Sequence, residues 1–179
     1  MSTLFVNNIS HTNDTAALAI NTTGTITPSK MVYATFGLDG NNHAATAAGY
    51  EVIDNWTTLS SPHTTVGATM SHSSGIFTFP HTGKFLIQAQ FQCQASGGNR
   101  TYAGGSIQYS SDSGVNFSKL TRSITGIWTD GGWATSFCQV LIEITNVSTQ
   151  RIRFNSYVAG NTSIYTGDNG TQCTFQQVG

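Results

Sequence analysis

Lys84-Phe85-Leu86-Ile87-Gln88-Ala89-Gln90-Phe91-Gln92-Cys93-Gln94 alternates along its length. Successive side chains of an extended strand point to opposite faces, so Phe85, Ile87, Ala89, Phe91 and Cys93 share one side and Gln88, Gln90, Gln92 and Gln94 the other. The stretch predicts a long strand with one face in a core and one face wet. Ser136 to Thr145 repeats the pattern, with Cys138, Val140, Ile142 and Ile144 against Phe137, Gln139, Leu141 and Glu143. Gln150 to Ala159 repeats it again, with Ile152, Phe154 and Val158 against Arg151, Arg153 and Asn155. These three are expected to form a sheet.

Turn signals separate such runs: Asp39-Gly40, Asp112-Ser113-Gly114, Asp130-Gly131-Gly132 and Asp168-Asn169-Gly170. Shorter strands are expected at Val32 to Leu38, Tyr50 to Leu59, Thr64 to Met70, Ile76 to Phe79, Thr101 to Ser110 and Thr171 to Val178. Only Ala44 to Ala48 reads as a helical turn. Many short strands without a helix predict an all-β sandwich, and no internal repeat points to a solenoid or propeller.

Composition agrees. The chain has 179 residues, 38% apolar and 8% charged, against roughly 25% charged in an average globular domain. A formal charge of −1 with 11% aromatic residues excludes disorder, which requires high net charge and few aromatics. Ser (19), Thr (27), Gly (19) and Asn (13) replace charge, a mixture suited to strands and turns rather than helices. Neutrality and the lack of a basic stripe argue against nucleic acid as a partner. No apolar stretch approaches the roughly 18 residues of a membrane span. Met1 to Ser10 lacks a signal-peptide pattern, so synthesis without export and no membrane insertion are expected. Cys93, Cys138 and Cys173 show no metal spacing and read as buried reduced thiols. Nine Asn-x-Ser/Thr sequons follow from composition in a chain without an export signal.

Residues 1–30 differ from the rest. Two short apolar runs, Leu4-Phe5-Val6 and Ala16 to Ile20, lie among Thr, Asn and Gly; they cannot close a core alone and read as an extended arm on another surface. The expected division is an arm over 1–30 and a sandwich domain over 31–179.

The stretch Gly75-Ile76-Phe77-Thr78-Phe79-Pro80-His81-Thr82-Gly83-Lys84-Phe85-Leu86-Ile87 resembles the signature of the jelly-roll superfamily shared by tumour necrosis factor and the complement globular heads. There a Gly-x-Phe-Thr-x-Pro hairpin leads through Gly into an aromatic central strand. Pro80 cannot donate a ladder hydrogen bond and Gly83 permits the tight turn. The resemblance implies a jelly roll forming a homotrimer through one sheet. Leu86, Phe137, Leu141 and Tyr157, opposite the core faces, are then candidate trimer contacts, unless loops or the arm cover them. A second resemblance lies in Thr3-Leu4-Phe5-Val6-Asn7-Asn8-Ile9, Ala16-Ala17-Leu18-Ala19-Ile20 and Gly24-Thr25-Ile26. This leader looks like that of tail-fibre-like and head-surface proteins of bacteriophages. It implies a virion protein docked on capsid or tail partners through Leu4, Phe5, Val6, Ile9, Leu18 and Ile20.

Catalytic chemistry is not legible. His11, His43, His63, His72 and His81 show no H-x-H or H-E-x-x-H spacing, and no nucleophile elbow, phosphate loop or dinucleotide fingerprint occurs. A glycosidase pair needs carboxylates about 5 Å or about 6.5–9.5 Å apart. Asp112 and Asp130 read instead as turn residues, and Glu143 as facing water or pairing with Arg151 or Arg153. Asp168-Asn169-Gly170 is too short for a calcium loop. No cofactor or metal is expected. In Gly126-Ile127-Trp128-Thr129-Asp130-Gly131-Gly132-Trp133, two aromatics flank a Gly-rich turn. Trp128 and Trp133 are candidates for stacking on a glycan, the alternative being packing on the sandwich rim; Tyr102 is a third aromatic candidate. The expected function is non-enzymatic: a trimeric head-decoration or short head-fibre protein of a phage particle. Heptads and repeats for a long shaft are missing. The alternative is a tail-fibre or receptor-binding knob adhering to host surface glycans.

Overall fold

A computed structural model describes residues 8–10, 16–20, 26–28, 31–45, 48–59, 63, 65–165 and 170–178. These residues form strands joined by turns, with no helix among them. The first sheet contains β4 (Val32–Leu38), β5 (His43–Ala45), β7 (Trp56–Thr58), β8 (Val66–Gly67), β11 (Gly83–Ala95), β14 (Trp133–Ile144), β16 (Thr162–Ile164) and β17 (Gln172–Gln177). Its spine runs β14-β11-β17-β4-β7, and β16 and β5 extend it beside the end of β11. The second sheet runs β13 (Ser118–Ile127), β12 (Arg100–Ser110), β15 (Arg151–Val158), β10 (Ile76–Thr78), β9 (Ser71–Ser73), with β6 (Gly49–Val52) also on β15. All pairings are antiparallel. The chain passes from β10 to β11, from β11 to β12, from β13 to β14 and from β14 to β15 by changing sheets, as a jelly roll requires.

The alternating residues close one core between the sheets. Phe77 lies at its centre, with ring centroids 5.1 Å from Phe36, 5.4 Å from Phe154 and 5.0 Å from Phe175. Trp56 packs 5.2 Å from Phe154 and donates from Nε1 to the Ile53 carbonyl at 2.9 Å, so its polar atom is satisfied on burial. The hairpin before β11 follows its sequence signals. Ser73 pairs with Ile76 around Ser74 and Gly75, whose φ values are 47° and 76°, matching the positive φ that a two-residue I′ turn needs at both positions. At Gly75 a Cβ would lie 2.4 Å from the Ile53 carbonyl oxygen, so the position excludes a side chain.

Three expectations are corrected. The three strongly alternating strands do not share a sheet: β11 and β14 pair over their length, whereas β15 belongs to the second sheet. Thr145 to Gln150 carries the chain across, and Gln150 Oε1 accepts from the Thr145 and Asn146 amides at 2.7 and 2.6 Å. Ala44 and Ala45, expected to begin a helical turn over Ala44 to Ala48, belong to strand β5, which completes the ladder beside β16; pairing overrides the propensity of alanine. The expected strand over Tyr50 to Leu59 is two strands, β6 in the second sheet and β7 in the first. Glu143 is exposed opposite Lys84, the first of its two expected placements, while Arg153 donates to Gln108 at 2.8 Å and Arg151 to the Val147 carbonyl at 2.7 Å.

Within the arm, β1 (Asn8–Ser10), β2 (Ala16–Ile20) and β3 (Ile26–Pro28) pair into their own small antiparallel sheet. Ile9 is the register partner of Leu18, and Ile20 of Ile26. Leu4, Phe5 and Val6 lie outside the described residues.

Candidate interaction surface

The first sheet presents an outward face whose rows follow from strand register. Leu141, Leu86, Gln176 and Tyr33 form one row, Gln139, Gln88, Thr174 and Thr35 the next, and Phe137, Gln90, Gln172 and Gly37 the third. No charge occurs in these rows; Lys84 opposite Glu143 lies one row beyond them. Amides and hydroxyls are tied to one another: Gln88 Nε2 donates to Gln139 Oε1 at 3.2 Å, Gln90 Nε2 to the Gly170 carbonyl at 3.0 Å, and the Thr35 and Thr174 hydroxyls are 3.3 Å apart. Apolar groups stand between them: Phe137 is 50% exposed and Leu141 60%. A shallow depression of about 310 Å³ opens on the face, lined in part by Tyr33, His63, Gln90, Phe137 and Gln172. Its lining carries no Asp, Glu, Lys or Arg, so it lacks a carboxylate pair.

Leu86, Phe137 and Leu141 therefore share one face. Tyr157, assigned with them from alternation alone, points away on the outer face of the second sheet, a consequence of β15 belonging there. Trp128 and Trp133 do not form one platform. The turn between them is pinned: Asp130 Oδ1 accepts from the Gly98 and Gly131 amides at 2.9 and 3.0 Å, the Ala95 amide donates to the Gly132 carbonyl, and the Gly131 amide donates to the Ala95 carbonyl. These bonds hold the Asp130 carboxyl below the usual carboxylate range, the Gly98 amide contributing most. Trp133 continues the first sheet's outer face opposite Gln94 and meets Tyr165 edge-on at 4.3 Å. Trp128 lies over Gly126 at the end of β13, on the second sheet.

The described histidines have separate surroundings. His72 packs against Phe36 and Phe77 at 5.5 and 5.1 Å, His81 Nδ1 lies 3.0 Å from the Thr82 carbonyl, and His63 borders the depression. His11 lies outside the described residues. Burial lowers the His43 and His72 pKa values, since an apolar surrounding disfavours the imidazolium. The same cause pushes the Cys93 and Cys138 thiols up to about 12. Among the described residues no group of three or more His, Cys, Asp or Glu is placed to hold a metal ion, and none of their helices is long and apolar enough to cross a membrane.

No protein-family model and no curated protein matches the sequence. Solved structures do match in shape. The chain is similar to Eiger TNF from S. frugiperda, with a TM-score of 0.64 at 13% identity, covering 84% of this chain and 94% of that one. It is similar to murine APRIL at pH 5.0, with a TM-score of 0.60 at 12% identity, covering 83% of this chain and all of the other. At such identity the likeness concerns architecture, and the architecture of this chain is a tumour necrosis factor-like jelly roll.

Proposed function

We propose that this protein is a non-enzymatic assembly protein whose jelly roll forms a homotrimer through the outer face of the first sheet. The observation that carries the reading is that face itself: a continuous uncharged surface in which Phe137 and Leu141 stand exposed between hydrogen-bonded Gln and Thr side chains. Uncharged amides can be buried against a neighbour without the desolvation cost of charge, and the apolar groups supply the favourable term. The arm, with its own small sheet, is suited to docking on a larger particle. The likeness of its sequence to phage leaders supports a head-decoration or short head-fibre role.

Light scattering is expected to return about three times the chain mass of 19.0 kDa. Leu141→Arg is expected to give monomers, whereas Tyr157→Arg, on the opposite sheet, leaves the assembly intact. A monomeric wild-type protein, or an assembly indifferent to Leu141→Arg, refutes the face assignment. Imaging of particles carrying the protein tests the location: density at capsid lattice sites supports decoration, and density confined to a tail overturns it.

A further inference from the structure

We propose that the outer face of the second sheet binds an acidic oligosaccharide, at a site formed by Arg122, Tyr50, Tyr102 and Tyr157. Four strands contribute to it. Tyr157 of β15 is the register partner of Tyr50 of β6, their ring centroids 4.4 Å apart. Tyr102 of β12 stacks on Tyr157 at 4.9 Å with an interplanar angle of 21°. Arg122 of β13 sets its guanidinium carbon 4.3 Å from the Tyr157 centroid and donates from Nη1 to the Tyr50 hydroxyl at 3.2 Å. Trp128 extends the aromatic row: its indole covers Gly126, which faces the Thr101–Tyr102 bulge of β12.

Two features point to a ligand rather than to packing alone. The first is charge. Arg100, Lys119, Arg122, Arg151 and Arg153, five of the chain's seven Lys and Arg residues, lie on β12, β13 and β15, and these strands contain no Asp or Glu. The groups acting on the Arg122 charge are the phenols of Tyr50 and Tyr157. A guanidinium carries five N–H donors in a fork that matches a carboxylate, and two phenols leave that fork room for one. The second is a pair of buried polar groups beneath it. Ser106 is the register partner of Arg122 and Asn155 that of Ser106; both are almost wholly buried, yet Ser106 Oγ and Asn155 Oδ1 have no hydrogen-bond partner. Buried polar atoms are nearly always paired, so unpaired ones mark places for water or a ligand hydroxyl.

The chemistry of the surface selects the ligand class. Tyrosine offers an apolar ring to the C–H face of a sugar and a hydroxyl to its polar rim, and the guanidinium offers a bidentate contact to a carboxylate. The site faces away from the surface proposed for self-association, so it stays open in the trimer and does not depend on it.

Calorimetric titration of the full chain with oligogalacturonate and with uncharged maltohexaose tests the proposal. Oligogalacturonate is expected to bind and maltohexaose to bind more weakly. Arg122→Gln is expected to weaken oligogalacturonate roughly tenfold, the usual size of one charged hydrogen-bond pair, and Tyr50→Ala to weaken both sugars. Lys84→Gln, an exposed charge removed from the first sheet, is expected to leave binding unchanged. Should Arg122→Gln not fold, Arg122→Lys, which keeps the charge and loses the fork, is expected to weaken binding in its place. The proposal is overturned if the two sugars bind alike, if oligogalacturonate does not bind, or if Arg122→Gln and Lys84→Gln have equal effects.

Discussion

Gly105 of β12 faces inward against Phe91 of β11, and a methyl group there tests how the layers are registered. A Cβ on Gly105 would lie 2.4 Å from Phe91 Cε1 and 2.5 Å from both Cδ1 and Cζ. Carbon atoms in contact sit about 3.5–4.0 Å apart, so the ring has to retreat by about 1 Å. Phe91 is fully buried and cannot swing into solvent. Overpacking of this kind costs about 1–3 kcal/mol, and the lower chain entropy of alanine in the unfolded state offsets about 0.4–1 kcal/mol of that. Gly105→Ala is therefore expected to lose about 1–2 kcal/mol, or about 2–8 °C in Tm for a chain of this size. Urea unfolding followed by tryptophan fluorescence, at one protein concentration, reads the loss as a lower midpoint with unchanged m-value. Phe91→Leu is destabilising alone because it leaves a cavity, but it makes room for the methyl group. The double variant should then be more stable than the sum of the two losses by about 1 kcal/mol or more. A neutral Gly105→Ala, or strictly additive effects, would refute the inferred contact between β11 and β12.

Two further outcomes follow from burial. His43 and His72 have folded pKa values below their ordinary 6.5, so the unfolded chain takes up protons first as pH falls. Their contribution is complete above about 6.5 and declines as pH drops toward the folded values; thermal melts should show this decline, and His72→Leu should flatten it. Cys93 and Cys138, with thiols near 12, and the fully buried Cys173 should resist a thiol-specific reagent at neutral pH until denaturant is added, since the thiolate is the reactive form.

The strands easiest to read in the sequence are those in which every second residue is apolar and buried. β11 is the extreme case, each odd residue from Phe85 to Cys93 being buried. β13 is hard to read for the opposite reason: Leu120 and Ile124 point outward at 39% and 42% exposure, and the residues between them are Thr121, Arg122 and Ser123. Alternation also identifies two faces of a strand without saying to which sheet the strand belongs. That ambiguity placed Tyr157 with Phe137 and Leu141, although the turn after β14 carries it to the other layer. The cluster around Arg122 had no local signal, because Tyr50, Tyr102, Arg122 and Tyr157 lie on four different strands and meet only through register.

The scarcity of charge acquires a location from the same topology. Read along the chain, eight acidic and seven basic residues nearly cancel and suggest a featureless neutral surface. Read across the sandwich, the rows of β14, β11, β17 and β4 hold amides, hydroxyls and apolar groups, while β12, β13 and β15 hold five basic residues and no acid. The basic residues therefore gather on three strands of the second sheet, where Glu51 of β6 is the acid among the strands. A neutral face tolerates burial against identical copies, which a like-charged one would repel, and a basic face directed outward attracts anionic ligands from beyond contact distance. Net charge near zero therefore does not exclude an acidic partner here. Screening by salt separates the two faces experimentally, because added salt weakens attraction at the basic face and leaves association through the uncharged one in place.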